Sequence, residues 1–376
     1  MKKVAVVTGS RAEYGIMKTM MQKLSHLVEL DVIVTAMHME EKYGYTYRQI
    51  EADGFHISAK IPLHLKDTSK KTLAKSLSIL AEKLSSIFEE KNYDLLIILG
   101  DRYEMLPVAN TALIYNIPIC HIHGGEKTLG NFDEMIRHAI TKMSHLHLVA
   151  AQEFKDRIIQ LGENPAHVHH IGSMGVENVL NQDFVSPQTL SEELGIVLKN
   201  PYYVVLFHPV TLEKGQAAYQ VSELLSAISH VPAQFLFIGS NSDTDSDVIM
   251  AKIESFVQKN QASKIFPSLP TQYYHSLIKH SNGLIGNSSS GLIEVPSLGV
   301  PTLNIGNRQL GRLRGPSVVD VDVTASAILD GFNQLEKNDD FTNYYEKADS
   351  SDLAVQHIIQ FLEEEDVLMK DFFDRH

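Results

Sequence analysis

The sequence has a single cysteine, Cys120, so an internal disulfide and a cysteine zinc site are both excluded. It has no apolar run close to the roughly 20 residues that a membrane-spanning helix needs. Its start, MKKVAVVTGS, contains an apolar run shorter than the roughly 7–15 residues of a signal peptide core. We therefore expect a cytoplasmic protein that has no membrane partner.

Positive charge is also scarce. The chain has 33 Lys and Arg against 46 Asp and Glu, which gives a formal net charge of −13. No basic stripe compensates for this excess, so nucleic acid is not an expected partner. A small anionic ligand remains compatible with the composition, because it needs only a few local cations.

Two common cofactor motifs are missing. The segment TGSRAEYG follows the first apolar run but lacks the G-x-G-x-x-G spacing, so no nicotinamide cofactor is expected. No His-Glu-x-x-His motif occurs, and His121 and His123 should point to opposite faces of a strand. We therefore expect neither a metal nor an organic cofactor.

What the sequence does contain is a repeated alternation of short apolar runs and amphipathic segments over 376 residues. Continuous apolar runs are typical of parallel strands that are covered on both faces. The pattern predicts an α/β protein with two doubly wound domains and a cleft between them. We expect domains at 1–172 and 173–351, with a C-terminal helix over about 352–376 joining the first. The predicted strands cover 4–8, 30–36, 95–100, 117–123 and 146–150, then 202–207, 235–239, 283–287 and 301–306.

Polar residues follow many of these strands, where ligands of open α/β sheets bind. In the first half, Arg11 marks a helix start suited to an anion, and Asp101 and Arg102 follow the strand at 95–100. A capped helix start and a surface ion pair would explain the same residues without a function. The second half offers a diphosphate-binding set of hydroxyls, a helix start and arginines. Its members are Asn287, Ser288, Ser289, Ser290, Arg308, Arg312 and Arg314, and His208 follows the strand at 202–207.

One stretch, HIHGGEKTLGNFDEMIRH (121–138), concentrates titratable groups beside a double glycine. Crowding of this kind shifts pKa values, which favours acid/base chemistry. The first half therefore carries the expected proton chemistry, and the second half the expected nucleotide site. The titratable groups of the stretch are His121, His123, Glu126, Lys127, Asp133, Glu134, Arg137 and His138.

Five motifs, in this order, resemble the hydrolysing UDP-N-acetylglucosamine 2-epimerases of bacterial sialic acid and capsule biosynthesis. They are TGSRAEYG, GDRYE, HIHGGEKT with DEMIRHAITKMSHLHL, FHPVT, and GNSSSGLIEVPSLGVPTLNIGNRQ. The resemblance covers nearly the whole chain. It implies a GT-B architecture of two Rossmann-like domains and a reaction in which UDP-N-acetylglucosamine and water give N-acetylmannosamine and UDP.

The resemblance also implies roles for individual residues. Asp101 and Asp133 match essential carboxylates, and His208 matches a histidine beside the diphosphate. The residues expected to bind substrate are Ser10, Arg11, Glu13, His38, Arg102, Asn241, Ser288, Ser289, Glu294 and Arg308. One departure matters, because relatives often have a catalytic glutamate where this chain has His123. Either His123 or Glu126 could carry that role, since a histidine transfers protons near neutral pH.

Several alternatives stay open from the sequence. A non-hydrolysing epimerase, an enzyme for a diacetamido UDP-sugar, a GT-B glycosyltransferase or a nucleotide-sugar-binding regulator would share these motifs. A homodimer or a dimer of dimers is the expected assembly.

Overall fold

The computed structural model of the protein describes residues 1–63, 70–128, 133–210, 213, 215–239 and 246–374. The chain divides into two compact units. The first unit comprises Met1–Lys127, Asn131–Asn178 and Tyr345–His376, and the second comprises Thr128–Gly130 and Val179–Tyr344. Within the described ranges, no helix is long and apolar enough to cross a membrane. The sequence-based domain bounds at 172/173 and 351/352 stay a prediction.

The first unit contains a parallel sheet of seven strands. They are β1 (Lys3–Thr8), β2 (Glu29–Thr35), β3 (Ile57–Ile61), β4 (Leu95–Leu99), β5 (Ile119–Ile122), β6 (Leu146–Val149) and β7 (Val168–His170). Their order is β3-β2-β1-β4-β5-β6-β7. The direction of winding reverses between β1 and β4, and such a switch point opens a crevice at the carboxyl ends of the strands.

Helices cover both faces of this sheet because successive side chains of a strand point to opposite sides. Val4 and Val6 of β1 join one apolar cluster, which includes Met17 and Ile358. Ala5 and Val7 join the other, together with Leu80 and Val108. The helices of the N-terminal part are α1 (Arg11–Leu24), α2 (Tyr47–Ala52), α3 (Lys70–Glu90), α4 (Met105–Ile114), α5 (Asp133–Met143), α6 (Gln152–Gln160) and α7 (Met174–Leu180).

The second unit repeats this plan with six parallel strands. They are β8 (Tyr202–Leu206), β9 (Gln234–Ile238), β10 (Lys264–Phe266), β11 (Leu284–Gly286), β12 (Thr302–Ile305) and β13 (Val318–Val321). The order β10-β9-β8-β11-β12-β13 puts its switch point between β8 and β11. Its helices are α8 (Pro187–Leu194), α9 (Ala217–Ile228), α10 (Ser246–Lys259), α11 (Thr271–Lys279), α12 (Ser290–Ile293) and α13 (Ala325–Leu335).

The predicted fold class is confirmed, since both sheets are parallel and doubly wound. All nine predicted strands are present, and the prediction missed β3, β7, β10 and β13. The C-terminal helix was predicted too long. Helix α14 (Ser350–Glu363) ends where Glu363, Glu364 and Glu365 would place negative charge at the negative end of the helix dipole. The chain from Glu364 to Asp374 is not helical.

Candidate active site

The loop after β1 is built around Ser10, which caps helix α1. The Ser10 hydroxyl accepts a hydrogen bond from the Glu13 amide at 3.4 Å, and Glu13 Oε2 accepts one from the Gly9 amide at 2.7 Å. A side chain at Gly9 would place its Cβ 2.6 Å from Glu104 Oε1, so a larger residue there would require Glu104 to move. Arg11 is exposed in the first turn of α1.

Beneath this loop, Arg102 lies beside two buried carboxylates. Its Nε donates to Glu104 Oε1 at 2.5 Å and lies 3.9 Å from Glu13 Oε1. Burial and the negative charge of Glu104 raise the pKa of Glu13 to about 7, and Arg102 opposes both effects. Glu104 was not predicted, because on the sequence it resembles an ordinary acidic residue near a helix start.

His38 contacts hydroxyl groups on both sides of its ring. Nε2 lies 3.1 Å from Thr8 Oγ1 and Nδ1 lies 2.8 Å from Thr46 Oγ1. Burial lowers its pKa to about 4, so the ring is neutral at pH 7. These contacts make His38 a support for the carboxyl end of β1, and its part in substrate binding stays a prediction.

Arg137 pairs with Asp101, and the charges of both residues act on Asp133. The buried Arg137 guanidinium donates to Asp101 Oδ2, to the Glu126 carbonyl at 2.8 Å and to Glu134 Oε2 at 3.1 Å. Burial raises the pKa of Asp133 to about 6, with the negative charge of Asp101 adding to the effect and Arg137 opposing it. A carboxyl group with such a pKa can give or take a proton near neutral pH.

His121 supports this group from below. Its Nε2 lies 2.7 Å from the Gly100 carbonyl and its Nδ1 lies 3.1 Å from Thr141 Oγ1. Burial lowers the pKa of His121 to about 3, so the ring stays neutral. Because the Gly100 carbonyl can only accept a hydrogen bond, Nε2–H is the donor. Helix α5 therefore holds the Asp101 loop twice, through Arg137 and through Thr141 with His121.

His123 and Glu126 form a pair at the start of the loop after β5. His123 Nδ1 lies 3.1 Å from Glu126 Oε1, and both side chains are largely buried. His123 has a φ of 62°, in the left-handed region that residues other than glycine rarely adopt. Such backbone strain is concentrated at functional sites.

In the second unit, Asn287 joins the carboxyl ends of β8 and β11 at the switch point. Its Oδ1 accepts from the His208 amide at 2.8 Å, and its Nδ2 donates to the His208 carbonyl at 2.8 Å. Arg308 donates to the Asn287 carbonyl at 3.1 Å, and Gln309 does so at 2.9 Å. Burial, helped by the Arg308 charge, lowers the pKa of His208 to about 4, so its ring is neutral at pH 7.

The serines that follow β11 form a small hydroxyl cluster. Ser288 Oγ lies 3.3 Å from Ser290 Oγ, which lies 2.6 Å from the Tyr274 hydroxyl. Ser289 precedes the helix without a capping hydrogen bond from its side chain. Helix α12 spans only Ser290–Ile293, so its dipole is smaller than the sequence suggested. Glu294 Oε2 lies 3.4 Å from His275 Nε2.

The structure gives one of the remaining predicted residues a structural role and does not describe another. Arg314 pairs with Asp320 and donates to the carbonyls of Gln309 and Arg312, which gives it a structural role. Asn241 lies outside the described residues. Within the described part of the chain, no group of three or more His, Cys, Asp or Glu could hold a metal ion. The expectation of a metal-free site stays a prediction.

The two switch points offer different chemistry. The first unit presents carboxylates and a histidine–carboxylate pair, and the second presents Arg308, hydroxyls and a neutral His208. A sequence model of the UDP-N-acetylglucosamine 2-epimerases matches residues 22–363 of the chain. The chain belongs to the UDP-N-acetylglucosamine 2-epimerase family.

Several relatives are similar to this chain over most of its length. The chain is 46% identical over its full length to the Polysialic acid biosynthesis protein P7 of Escherichia coli, of which it covers 98%. It is 36% identical to the GDP/UDP-N,N'-diacetylbacillosamine 2-epimerase (hydrolyzing) of Campylobacter jejuni, over 90% of this chain and 88% of that protein. Among solved structures, the UDP-GlcNAc 2-epimerase from Neisseria meningitidis bound to UDP-GlcNAc has a TM-score of 0.80 at 17% identity. That similarity covers 95% of this chain and all of the other, and at such identity it shows the fold.

Membership of the UDP-N-acetylglucosamine 2-epimerase family confirms the resemblance that the five motifs predicted. The roles of the individual site residues stay predictions.

Proposed function

We propose that the protein is a hydrolysing UDP-N-acetylglucosamine 2-epimerase, which releases N-acetylmannosamine and UDP as the first committed step of sialic acid biosynthesis. The observation that carries this proposal is the 46% identity, over the full length, to a polysialic acid biosynthesis protein. Sialic acids are built from N-acetylmannosamine, so a family member in such a pathway is expected to release that sugar. A cytoplasmic homodimer or dimer of dimers without a cofactor is part of the proposal.

The reaction requires a base and a stabilised leaving group. Removal of the C2 proton leaves its electron pair to form the C1=C2 bond, while the C1–O bond breaks and its electrons leave with UDP. The product of this step is 2-acetamidoglucal. Water then adds its hydroxyl at C1, and a proton returns to C2 on the opposite face, which gives N-acetylmannosamine.

The first unit supplies groups for the proton transfers. Asp133, with a pKa raised to about 6, is suited to take the proton that water loses when its hydroxyl adds at C1. Arg137 pairs with Asp101 and so orients the Asp101 carboxylate. Ser10, Arg11, Glu13 and Arg102 lie at the same switch point and are proposed to contact the sugar and phosphates.

The second unit supplies groups for the departure of UDP. Arg308 is anchored on the Asn287 carbonyl beside His208, where its charge can stabilise a growing phosphate charge. Ser288 and Ser289 are proposed as phosphate donors and Glu294 as the ribose acceptor. The neutral His208 ring can donate a hydrogen bond without adding another charge.

A diacetamido UDP-sugar is the second candidate substrate, because the 36% identical relative carries the name of an epimerase for such a sugar. The non-hydrolysing epimerase and the GT-B glycosyltransferase share the fold. They differ in what happens after UDP leaves: the first returns UDP to the glycal, and the second needs an acceptor.

We predict that proton NMR of the native protein with UDP-N-acetylglucosamine will detect UDP and free N-acetylmannosamine, without an added acceptor. A parallel sample with a UDP-diacetamido sugar should turn over more slowly. UDP-N-acetylmannosamine as the product would contradict the hydrolytic assignment. Faster turnover of the diacetamido sugar would make that sugar the substrate.

A further inference from the structure

The pair formed by His123 and Glu126 has a defined chemical polarity. Nδ1 of His123 faces Glu126 Oε1 at 3.1 Å, and a carboxylate can only accept at that contact. Nδ1 therefore carries the ring proton, and Nε2 keeps its lone pair. Among the described residues, the buried Nε2 has no hydrogen-bond partner.

The surrounding chain holds this pair in place. The His123 amide donates to the Leu148 carbonyl of β6 at 2.9 Å, so the backbone at His123 continues the pairing between β5 and β6. Arg137 donates to the Glu126 carbonyl at 2.8 Å, which fixes the other member. A Cβ at Gly124 would lie 2.9 Å from His121 Nδ1 and from Thr141 Oγ1, so glycine lets this turn pass close to both side chains.

We propose that His123 Nε2 is the atom that takes the C2 proton and that Glu126 is a positioning residue. This inference rests on the proposed function. Nε2 forms the new N–H bond with the C2 proton, and the C–H electron pair forms the C1=C2 bond while UDP leaves with the C1–O pair. The Glu126 carboxylate keeps the reactive tautomer and stabilises the imidazolium that results. The strained backbone of His123 and its buried Nε2, which has no hydrogen-bond partner among the described residues, are typical of a functional histidine.

Three charged or titratable groups are near the His123 ring or its partner. Glu126 contacts the ring directly, His121 lies two residues before His123 on β5, and Arg137 reaches the Glu126 carbonyl from α5. Because His121 is neutral and Arg137 is engaged by Asp101 and Glu134, Glu126 is the group that sets the tautomer of His123.

The turnover of variants distinguishes the role of His123 from that of Glu126. With UDP-N-acetylglucosamine in heavy water, NMR follows UDP release and deuterium at C2 of whatever sugar product forms. His123→Ala should lower kcat by about 10²–10⁴-fold, and added imidazole should restore part of it. Glu126→Ala should lower kcat by about tenfold to a hundredfold, as expected for one charge-assisted hydrogen bond. Glu126→Gln should lose less, because its amide keeps an acceptor oxygen.

The controls test for simple misfolding. His167→Ala removes another histidine that pairs with a carboxylate, Glu364 at 2.9 Å, and should leave turnover unchanged. UDP affinity measured by calorimetry should be unchanged in all four variants. His123→Glu should retain some activity with its pH profile moved to lower pH, because carboxylic acids titrate below imidazole. If His123→Ala stays active while Glu126→Gln is inactive, Glu126 is the base and the proposal is overturned.

A measurement without turnover keeps this proposal distinct from the proposed function. Nitrogen-15 NMR of the His123 ring should show the Nδ1–H tautomer in the native protein and a shift towards Nε2–H in Glu126→Ala. A native Nε2–H tautomer would overturn the proposal whichever reaction the protein catalyses. Native protein that releases no UDP and exchanges no C2 hydrogen would instead overturn the proposed function.

Discussion

At the scale of single residues, neighbours decide what the acidic groups can do. Asp133 and Asp53 are both aspartates with nearby cations, yet their pKa values move in opposite directions. Lys18 and Tyr14 donate hydrogen bonds to Asp53, which outweigh its burial and lower its pKa. Burial and Asp101 together raise the pKa of Asp133 to about 6 despite Arg137. Asp133 is consequently, like Glu13, a carboxyl group that titrates close to neutral pH.

This contrast leads to a prediction about pH. Asp133 accepts a proton only when it is ionised, so kcat/KM should fall as the pH drops through about 6. Asp101→Asn removes the negative neighbour and should lower the pKa of Asp133 towards the 3.8 of an ordinary aspartate. Carbon-13 NMR titration of the Asp133 carboxyl measures this shift. Glu153→Gln, which removes an exposed carboxylate, is the control, and equal titration curves for Asp101→Asn and native protein would contradict the assignment.

At the scale of secondary-structure elements, both switch points are held by side chains that reach between neighbouring segments. In the first unit, α5 reaches the loop after β4 through Arg137. In the second, Asn287 joins the carboxyl ends of β8 and β11 through two hydrogen bonds to the backbone of His208. The elements therefore set the geometry of the residues that are proposed to bind the nucleotide.

We predict that Asn287→Ala will weaken both the fold and UDP binding. It leaves two buried backbone groups of His208 without their partner, which should lower the free energy of unfolding by about 1–3 kcal/mol. UDP affinity should fall because Arg308 is anchored at the same strand end. Asn304→Ala is the matched control, since Asn304 is equally buried but donates to Asp320, away from His208. Calorimetry should detect weaker UDP binding in Asn287→Ala only; equal losses in both variants would contradict this role for Asn287.

At the scale of the whole molecule, the end of the chain returns to the first unit. The His357 ring of α14 stacks on the His169 ring of β7 with centroids 3.6 Å apart. Beyond the helix, Lys370 lies 2.6 Å from the buried Glu163 and donates to the carbonyls of Lys142 and Ser144. The C-terminal segment thus completes the core of a unit that begins at the first residues.

The histidine stack predicts sensitivity to acid. Burial, with the charge of His357, lowers the pKa of His169 to about 4, and burial together with Lys155 and Lys347 lowers that of His357. A histidine with a lowered pKa takes up its proton more readily in the unfolded chain. Its stabilising effect is therefore complete above about pH 6.5 and is lost as the pH falls towards 4.

His357→Phe keeps a stacked ring without a titrating group, so it should lose less stability on acidification. Urea unfolding at pH 7 and pH 5 should show a smaller loss of unfolding free energy than that of the native protein. His230→Phe, at an exposed histidine of the second unit, should behave like the native protein. If His357→Phe and native protein lose equal stability between these pH values, the stack does not sense pH.

The hydrophobic pattern of the sequence was sufficient to predict the interior of both sheets. The nine predicted strands are the interior strands, whose side chains are buried on both faces, as in LLIIL of β4 and VVL of β8. The four missed strands, β3, β7, β10 and β13, are the sheet edges. An edge strand is partly exposed to solvent, so ISAKI of β3 carries no continuous apolar run.

The sequence by itself determined the fold class, the family and the residues that stand at the strand ends, because these depend on local pattern and on chain order. Tertiary structure alone decided which of these residues are partners. Arg137 meets Asp101 across 36 positions, and Asn287 meets His208 across 79. The pKa values of Glu13 and Asp133 and the tautomer of His123 depend on burial and on charges brought near by folding. Those quantities have no local signal in the sequence, since the same residue types at the surface would titrate at ordinary values.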